Sequence, residues 1–171
     1  MKQAILSEHN QCRMEVRSNP RLAPLRWDEN LAWTAQQYTN YQASSCWPMN
    51  KHKHSADPQR YDISAHLRGY SGENLCIVPR PRGDYVPAVR AGVKMYWCDE
   101  KVNYTLASNL CRAGEKKCNH YKQIVWETTQ LVGCGYALCR HRPDYFAFTC
   151  HYHPGNPRGS ATQPVQAKTK H

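Results

Sequence analysis

Apolar positions recur at helical spacing from the start of the chain. Ile5, His9, Cys12 and Val16 fall on one face, which predicts a helix over residues 3–17. Asn19-Pro20 ends it, and a proline-bearing link follows through Pro24. Asp28 is a good N-cap for a second helix, with Leu31, Ala35, Tyr38 and Gln42 running down one side. Residues 47–72 are polar, rich in His, Lys and Arg, and without a sustained period. They read mainly as a long loop, and loops of that length in a compact domain are usually functional or disordered. Pro79, Pro81, Gly83 and Pro87 punctuate the chain before a third helix, with Pro87 suited to its first turn. Val86, Val89, Val93, Tyr96 or Trp97, and Glu100 share one face of that helix. Glu100 thus extends an apolar stripe, where a carboxylate is either paired or reaches out to water.

After Cys118 a short helical pattern, His120 through Trp126, places His120 and Ile124 on one side. Residues 131–139 and 145–153 read as strands. Phe146, Phe148, Cys150 and Tyr152 alternate in the second as a half-buried strand requires. Cys134 and Cys150 could face each other across such a pair. Residues 157–171 are polar and patternless, which predicts a disordered tail. The fold class is therefore α+β, with helices against a small, mainly antiparallel sheet.

Composition narrows the class of protein. A chain of 171 residues fits one domain, and no apolar run approaches the roughly 20 residues of a membrane-spanning helix. The formal net charge of +10 favours anionic partners, an anionic membrane surface or an acidic polysaccharide among them. Nucleic acid is not the expected partner, because the charges scatter over residues 13–170 instead of forming a basic patch interleaved with aromatics. Nine cysteines point to an oxidising compartment, and the odd count leaves at least one thiol free or paired between chains. The first residues lack the apolar stretch of a signal peptide, so the expectation is an extracellular protein whose signal has been removed. Asn103-Tyr104-Thr105 spells an N-glycosylation sequon, consistent with a secreted surface loop.

Four segments, in order, resemble one family. Leu25-Arg26-Trp27-Asp28-Glu29-Asn30-Leu31 is similar to the entrance of the second helix in the CAP superfamily, which covers cysteine-rich secretory proteins, antigen 5 and group 1 pathogenesis-related proteins. Ser71-Gly72-Glu73-Asn74-Leu75 resembles its Gly-Glu-Asn-Leu signature. Cys118-Asn119-His120-Tyr121-Lys122-Gln123-Ile124-Val125-Trp126 resembles its first signature, with Asn119 where Gly is usual. Phe148-Thr149-Cys150-His151-Tyr152-His153-Pro154-Gly155-Asn156 resembles its second, one residue short between Tyr152 and Gly155. The resemblance implies a single CAP domain over residues 1–159 with a polar tail over 160–171, and the family's three-layer α-β-α sandwich. It is nearest to the plant- or fungal-type pathogenesis-related members.

The same resemblance implies a cleft tetrad of two His and two Glu. His120 and Glu73 match within their signatures, and Glu100 matches the helix Glu three residues after Trp97. His54 matches the first His through its His54-Ser55 step, with His52 and His66 as competitors. Two imidazoles and two carboxylates can hold a borderline divalent ion such as Zn²⁺, here expected as an optional cofactor. Disulfides Cys46–Cys139, Cys111–Cys118 and Cys134–Cys150 are implied by resemblance to plant-type members, with Cys12, Cys76 and Cys98 left without counterparts.

Three functions follow as expectations. The leading one is a secreted, non-enzymatic protein that binds sterol or fatty acid in a defence or host-interaction role. An alternative is a zinc-dependent hydrolase in the same cleft, with Glu73 or Glu100 as general base. A third is receptor (integrin) binding through Arg82-Gly83-Asp84, a short and weakly specific motif.

Overall fold

The computed structural model describes residues 1–18, 20–44, 46, 71–112 and 118–155. The chain opens on α1 (Lys2–Met14), crosses a two-residue strand β1 (Arg26–Trp27) and enters α2 (Glu29–Ala43). The long edge strand β2 (Gly72–Pro79) follows, then α3 (Val86–Ala91). Helix α3 runs on without a break as a π turn (Gly92–Trp97) and a 3-10 turn (Cys98–Asn103). A small ribbon of β3 (Tyr104–Thr105) and β4 (Leu110–Cys111) precedes α4 (Asn119–Ile124), and β5 (Leu131–Leu138) and β6 (Tyr145–His153) close the fold.

The main sheet has the order β1-β5-β6-β2, antiparallel except for the parallel β1–β5 pair. Helix α2 covers one face, while α1, the α3 winding and α4 cover the other, which gives three layers. Asp28 caps α2 by accepting the Leu31 N–H at 2.8 Å, and Leu31, Ala35, Tyr38 and Gln42 are the side it buries. Helix α2 lies directly on β5 because Gly133 and Gly135 carry no side chain. A Cβ on Gly133 would stand 2.1 Å from the Ala32 nitrogen, and one on Gly135 2.4 Å from Gln36 Cα.

Strand β2 corrects the sequence reading, which extended the preceding loop to residue 72 and gave the following segment no element. Gly72, Glu73 and Asn74 are poor strand formers in isolation. They are held extended by full register with β6, from Gly72 opposite Tyr152 to Pro79 opposite Tyr145. The rest of the 47–72 segment and residues 156–171 lie outside the described residues. In the third helix Val89, Val93 and Trp97 are the buried positions, while Tyr96 is 42% exposed. The four-residue steps between them suit the wider π winding, which keeps all three on one face.

The core between the sheet and α1 is apolar but threaded by polar groups. Asn10 clasps the chain at Leu25, accepting its N–H at 2.7 Å and donating to its carbonyl at 3.1 Å. His9, fully buried, donates from Nδ1 to the Ile5 carbonyl, so its Nε2 accepts from the Tyr152 hydroxyl at 2.8 Å. Asn74 Nδ2 donates to the same hydroxyl oxygen at 3.2 Å and to the His120 carbonyl at 3.0 Å. One hydrogen-bonded line therefore runs from α1 through the sheet to the backbone of α4. Burial raises the Tyr152 pKa well above the usual range, which keeps the hydroxyl proton in this line.

Four disulfides brace the layers. Cys12–Cys98 ties α1 to the 3-10 turn, and Cys46–Cys139 ties the end of α2 to the β5–β6 loop. Cys111–Cys118 closes a seven-residue separation before α4, and Cys134–Cys150 joins residues opposite each other on β5 and β6. The last three are the pairs that the family resemblance implies. Cys12 and Cys98 find each other, and Cys76 is left as a free thiol whose pKa burial pushes up.

Candidate functional site

Glu100 sits in the 3-10 turn that ends the α3 winding, against the first turn of α4. Its Oε2 accepts the backbone N–H groups of His120 at 3.0 Å and Tyr121 at 3.3 Å. These are among the donors that a helix start leaves without partners, and a carboxylate there also meets the positive end of the helix dipole. Its Oε1 accepts from His120 Nδ1 at 2.7 Å. The residue is 9% exposed, so the choice between a paired and a solvent-reaching carboxylate resolves as paired.

His120 is placed by three contacts at once. Glu100 holds Nδ1, the α4 backbone is anchored by Asn74, and the ring stacks on Trp97 with centroids 6.2 Å apart and planes at 23°. Trp97 in turn stacks on Phe148 at 5.1 Å and 9°, so the imidazole stands on a rigid aromatic pile rooted in β6. With Nδ1 committed to the carboxylate, Nε2 is the ring nitrogen left over, and among the described residues nothing bonds to it. The side chain is 31% exposed. A carboxylate fixing one imidazole nitrogen while the other stays open is the arrangement metal-ligating histidines use.

Glu73 is on the other face of β2. Side chains alternate along a strand: Asn74 turns toward Tyr152 and His120, whereas Glu73 turns toward α2. There its Oε2 lies 2.9 Å from His151 Nε2, and both side chains are fully buried. His151 Nδ1 lies 3.0 Å from the Thr34 hydroxyl, which itself donates to the Leu31 carbonyl at 2.9 Å. Thr34, His151 and Glu73 thus have the connectivity of a hydroxyl–imidazole–carboxylate relay. The hydroxyl is buried and its proton is spent on its own helix, so the relay braces α2 against the sheet and holds no nucleophile.

Of the expected tetrad, the structure brings Glu100 and His120 into contact and sets Glu73 beside Asn74, the residue that anchors the backbone of His120. His54, with its competitors His52 and His66, lies outside the described residues. Among the described residues no group of three or more His, Cys, Asp or Glu side chains is assembled to hold a metal ion. Residue reading missed His151, Asn74 and the stacking role of Trp97. The alternation in β6 puts His151 opposite Cys150 and Tyr152, but only the β2–β6 register reveals that Glu73 stands across from it.

The Arg82-Gly83-Asp84 loop is exposed, with Gly83 at φ 103°. Asp84 Oδ1 accepts the Val86 N–H at 2.9 Å, so this carboxylate helps start α3. That contact gives the aspartate a scaffold role. Asn103 closes the 3-10 turn and is partly buried.

Residues 6–152 match the family model described as CAP: Cysteine-rich secretory protein family. This chain belongs to the CAP family. Pathogenesis-related leaf protein 6 of Solanum lycopersicum is 34% identical to it over 152 residues, which are 89% of this chain and 76% of the relative. Pathogenesis-related protein 1A of Nicotiana tabacum is 34% identical over 161 residues, covering 94% and 79%. Among solved structures, Schistosoma mansoni venom allergen-like protein 4 superposes with a TM-score of 0.66 at 25% identity, over 98% of this chain and 94% of that one. The chain is a CAP protein of the plant pathogenesis-related 1 type, with the α-β-α sandwich of its relatives. Within that CAP fold, His120 lies in the first turn of α4 and Glu100 in the 3-10 turn that ends the α3 winding.

Proposed function

We propose that this chain is a secreted, defence-type protein that binds a sterol or fatty acid, and that its His120–Glu100 cleft holds a divalent ion. The pathogenesis-related names of its relatives support the defence role, and four disulfides support an extracellular setting. The observation that carries the cleft is the His120 ring, with Nδ1 locked on Glu100 and Nε2 open. Imidazole suits a borderline ion such as Zn²⁺, which fits the residues present. His120 would hold it together with His54, with Glu100 orienting the His120 ring. A bound ion would supply a fixed positive charge able to polarise a carbonyl or phosphoryl oxygen.

The geometry supports binding over hydrolysis. A general base needs a carboxylate oxygen free to take a proton from water. Both oxygens of Glu100 are engaged, by three donors in all, and Glu73, the other candidate base, is fully buried against His151.

Lipid binding draws support from exposed apolar side chains along α1 and the α3 winding, two elements that meet at a seam. Glu15 pairs there with Lys101 at 2.7 Å, and Lys94 adds to the field on the same carboxylate. Met14, Met95 and Val102, next to these charges in sequence, are 69%, 64% and 60% exposed. Titration with labelled sterol and with a labelled fatty acid, against heat-denatured protein, tests this reading. Saturable binding of either lipid is expected, and absence of binding to both contradicts it.

A further inference from the structure

We propose that the end of the sandwich built by the β2–α3 and β5–β6 loops is a binding site for an acidic polysaccharide bearing carboxylate or sulfate groups. This site is separate from the cleft and does not depend on the lipid or ion reading.

The sheet register brings the two loops together. Pro79 stands opposite Tyr145, the Arg80 N–H donates to the Asp144 carbonyl at 2.6 Å, and the Cys139 N–H donates to the Tyr145 carbonyl at 3.0 Å. Arg80 and Arg82 come from one loop and Arg140, His141 and Arg142 from the other. Arg80, Arg82 and Arg140 are exposed, and among the described residues none of them has a carboxylate within ion-pair distance. Asp84 and Asp144 are the acidic residues of the two loops, and Asp84 is engaged in starting α3. Like charges gathered without partners raise each other's energy, and a polyanion relieves that.

Shape and chemistry select the ligand. A recess of about 440 Å³, lined by Arg80, Pro81, Arg82, Gly83, Pro143 and Asp144, opens between the loops. That volume falls in the roughly 300–1,000 Å³ range of ligand clefts. A second recess of about 260 Å³ lies beside Arg140, where Asn40 and Ser44 add an amide and a hydroxyl for neutral sugar hydroxyls. The Arg140 N–H donates to the Ala43 carbonyl at 2.8 Å and the Arg142 guanidinium lies 5.3 Å from the Tyr145 ring centre, so the hairpin that presents them is fixed. Guanidinium forks match carboxylate and sulfate oxygens in pairs. A repeating anionic chain can engage arginines on both sides of the hairpin. A membrane is disfavoured because residues 80–84 and 140–144 carry no Leu, Ile, Val, Met, Phe, Tyr or Trp side chain to insert.

The test measures binding of the full chain, disulfides intact, to polygalacturonate and to dextran sulfate at near-physiological salt. Neutral dextran and phosphatidylserine vesicles serve as the comparison arms. The variant Arg80→Gln/Arg82→Gln/Arg140→Gln is set against Arg17→Gln/Arg21→Gln/Arg26→Gln, which removes the same charge from the segment leading into β1. Arg26 pairs with Leu131, at the far end of β5 from these loops. Thermal midpoints confirm that both variants fold. The loop variant is expected to lose about tenfold or more in affinity for at least one acidic polymer, and the control variant about twofold or less. Equal losses in the two variants, no binding to either polymer, or binding to the vesicles alone would overturn the proposal.

Discussion

Replacing Arg13 by alanine is expected to destabilise the fold by about 3–5 kcal/mol, the cost of leaving several buried carbonyls without a donor. Arg13 is 1% exposed, and its ligands are backbone carbonyls. Nε donates to Ala23 at 2.8 Å, one terminal nitrogen donates to Ile124 at 2.7 Å and Trp126 at 2.9 Å, and the other donates to Thr129 at 3.4 Å. Ile124 is the last residue of α4, so the guanidinium also meets the negative end of that helix dipole. Burial lowers its pKa to about 10, which still leaves a cation at neutral pH. Each carbonyl left without a donor costs about 1–3 kcal/mol. Arg13→Met, which keeps most of the packing, is therefore also expected to be strongly destabilised. Arg13→Lys should fall between, because a single ammonium cannot span the fork. Calorimetry should show the alanine variant melting about 10 °C or more below wild type. A drop of one or two degrees would show that the carbonyls find other partners.

Acid should weaken the fold through His9. Its pKa is lowered to about 4, first by burial, against a backbone hydrogen bond to Ile5 that raises it, and with a further lowering from Arg13. The unfolded chain binds this proton near pH 6.5. Above pH 6.5 the residue is neutral in both states and its contribution is complete. Between pH 6.5 and about 4 the unfolded state takes up the proton first, and stability falls by roughly 3 kcal/mol before levelling off. Protonation would place an Nε2–H against the Tyr152 hydroxyl, which already receives a hydrogen bond from Asn74. The check is denaturant unfolding of wild type and His9→Gln across pH 4–7. The variant should be less stable at pH 7 but should lose less on acidification. Parallel pH profiles for the two proteins would remove His9 as the cause.

The helices were legible because each has a strong local signal. Ile5, His9, Cys12 and Val16 are indeed the inner face at the start of the chain, and Asp28 caps the second helix. Strand β6 was legible from the alternation Phe146, Phe148, Cys150, Tyr152, all four fully buried. Strand β2 was not, because a run that begins Gly72-Glu73-Asn74 has no strand preference until β6 pairs with it. The same non-local register hid the Glu73–His151 pair. Glu100 and His120 were nameable from the family signatures, but their hydrogen bonds depend on the turn that brings the end of the third helix against the start of α4. The pairing of Cys12 with Cys98 could not be read from spacing, since it is set by α1 packing on the α3 winding.

The most direct measurement is zinc calorimetry on the wild-type protein beside His120→Ala and Glu100→Gln. The account predicts one saturable Zn²⁺ site in wild type. It predicts loss of about 100-fold or more in His120→Ala, and about 10–100-fold in Glu100→Gln, where the imidazole loses the carboxylate that orients it. Zinc binding that is equally tight in His120→Ala would contradict the account, placing the ion at histidines other than the one set by Glu100.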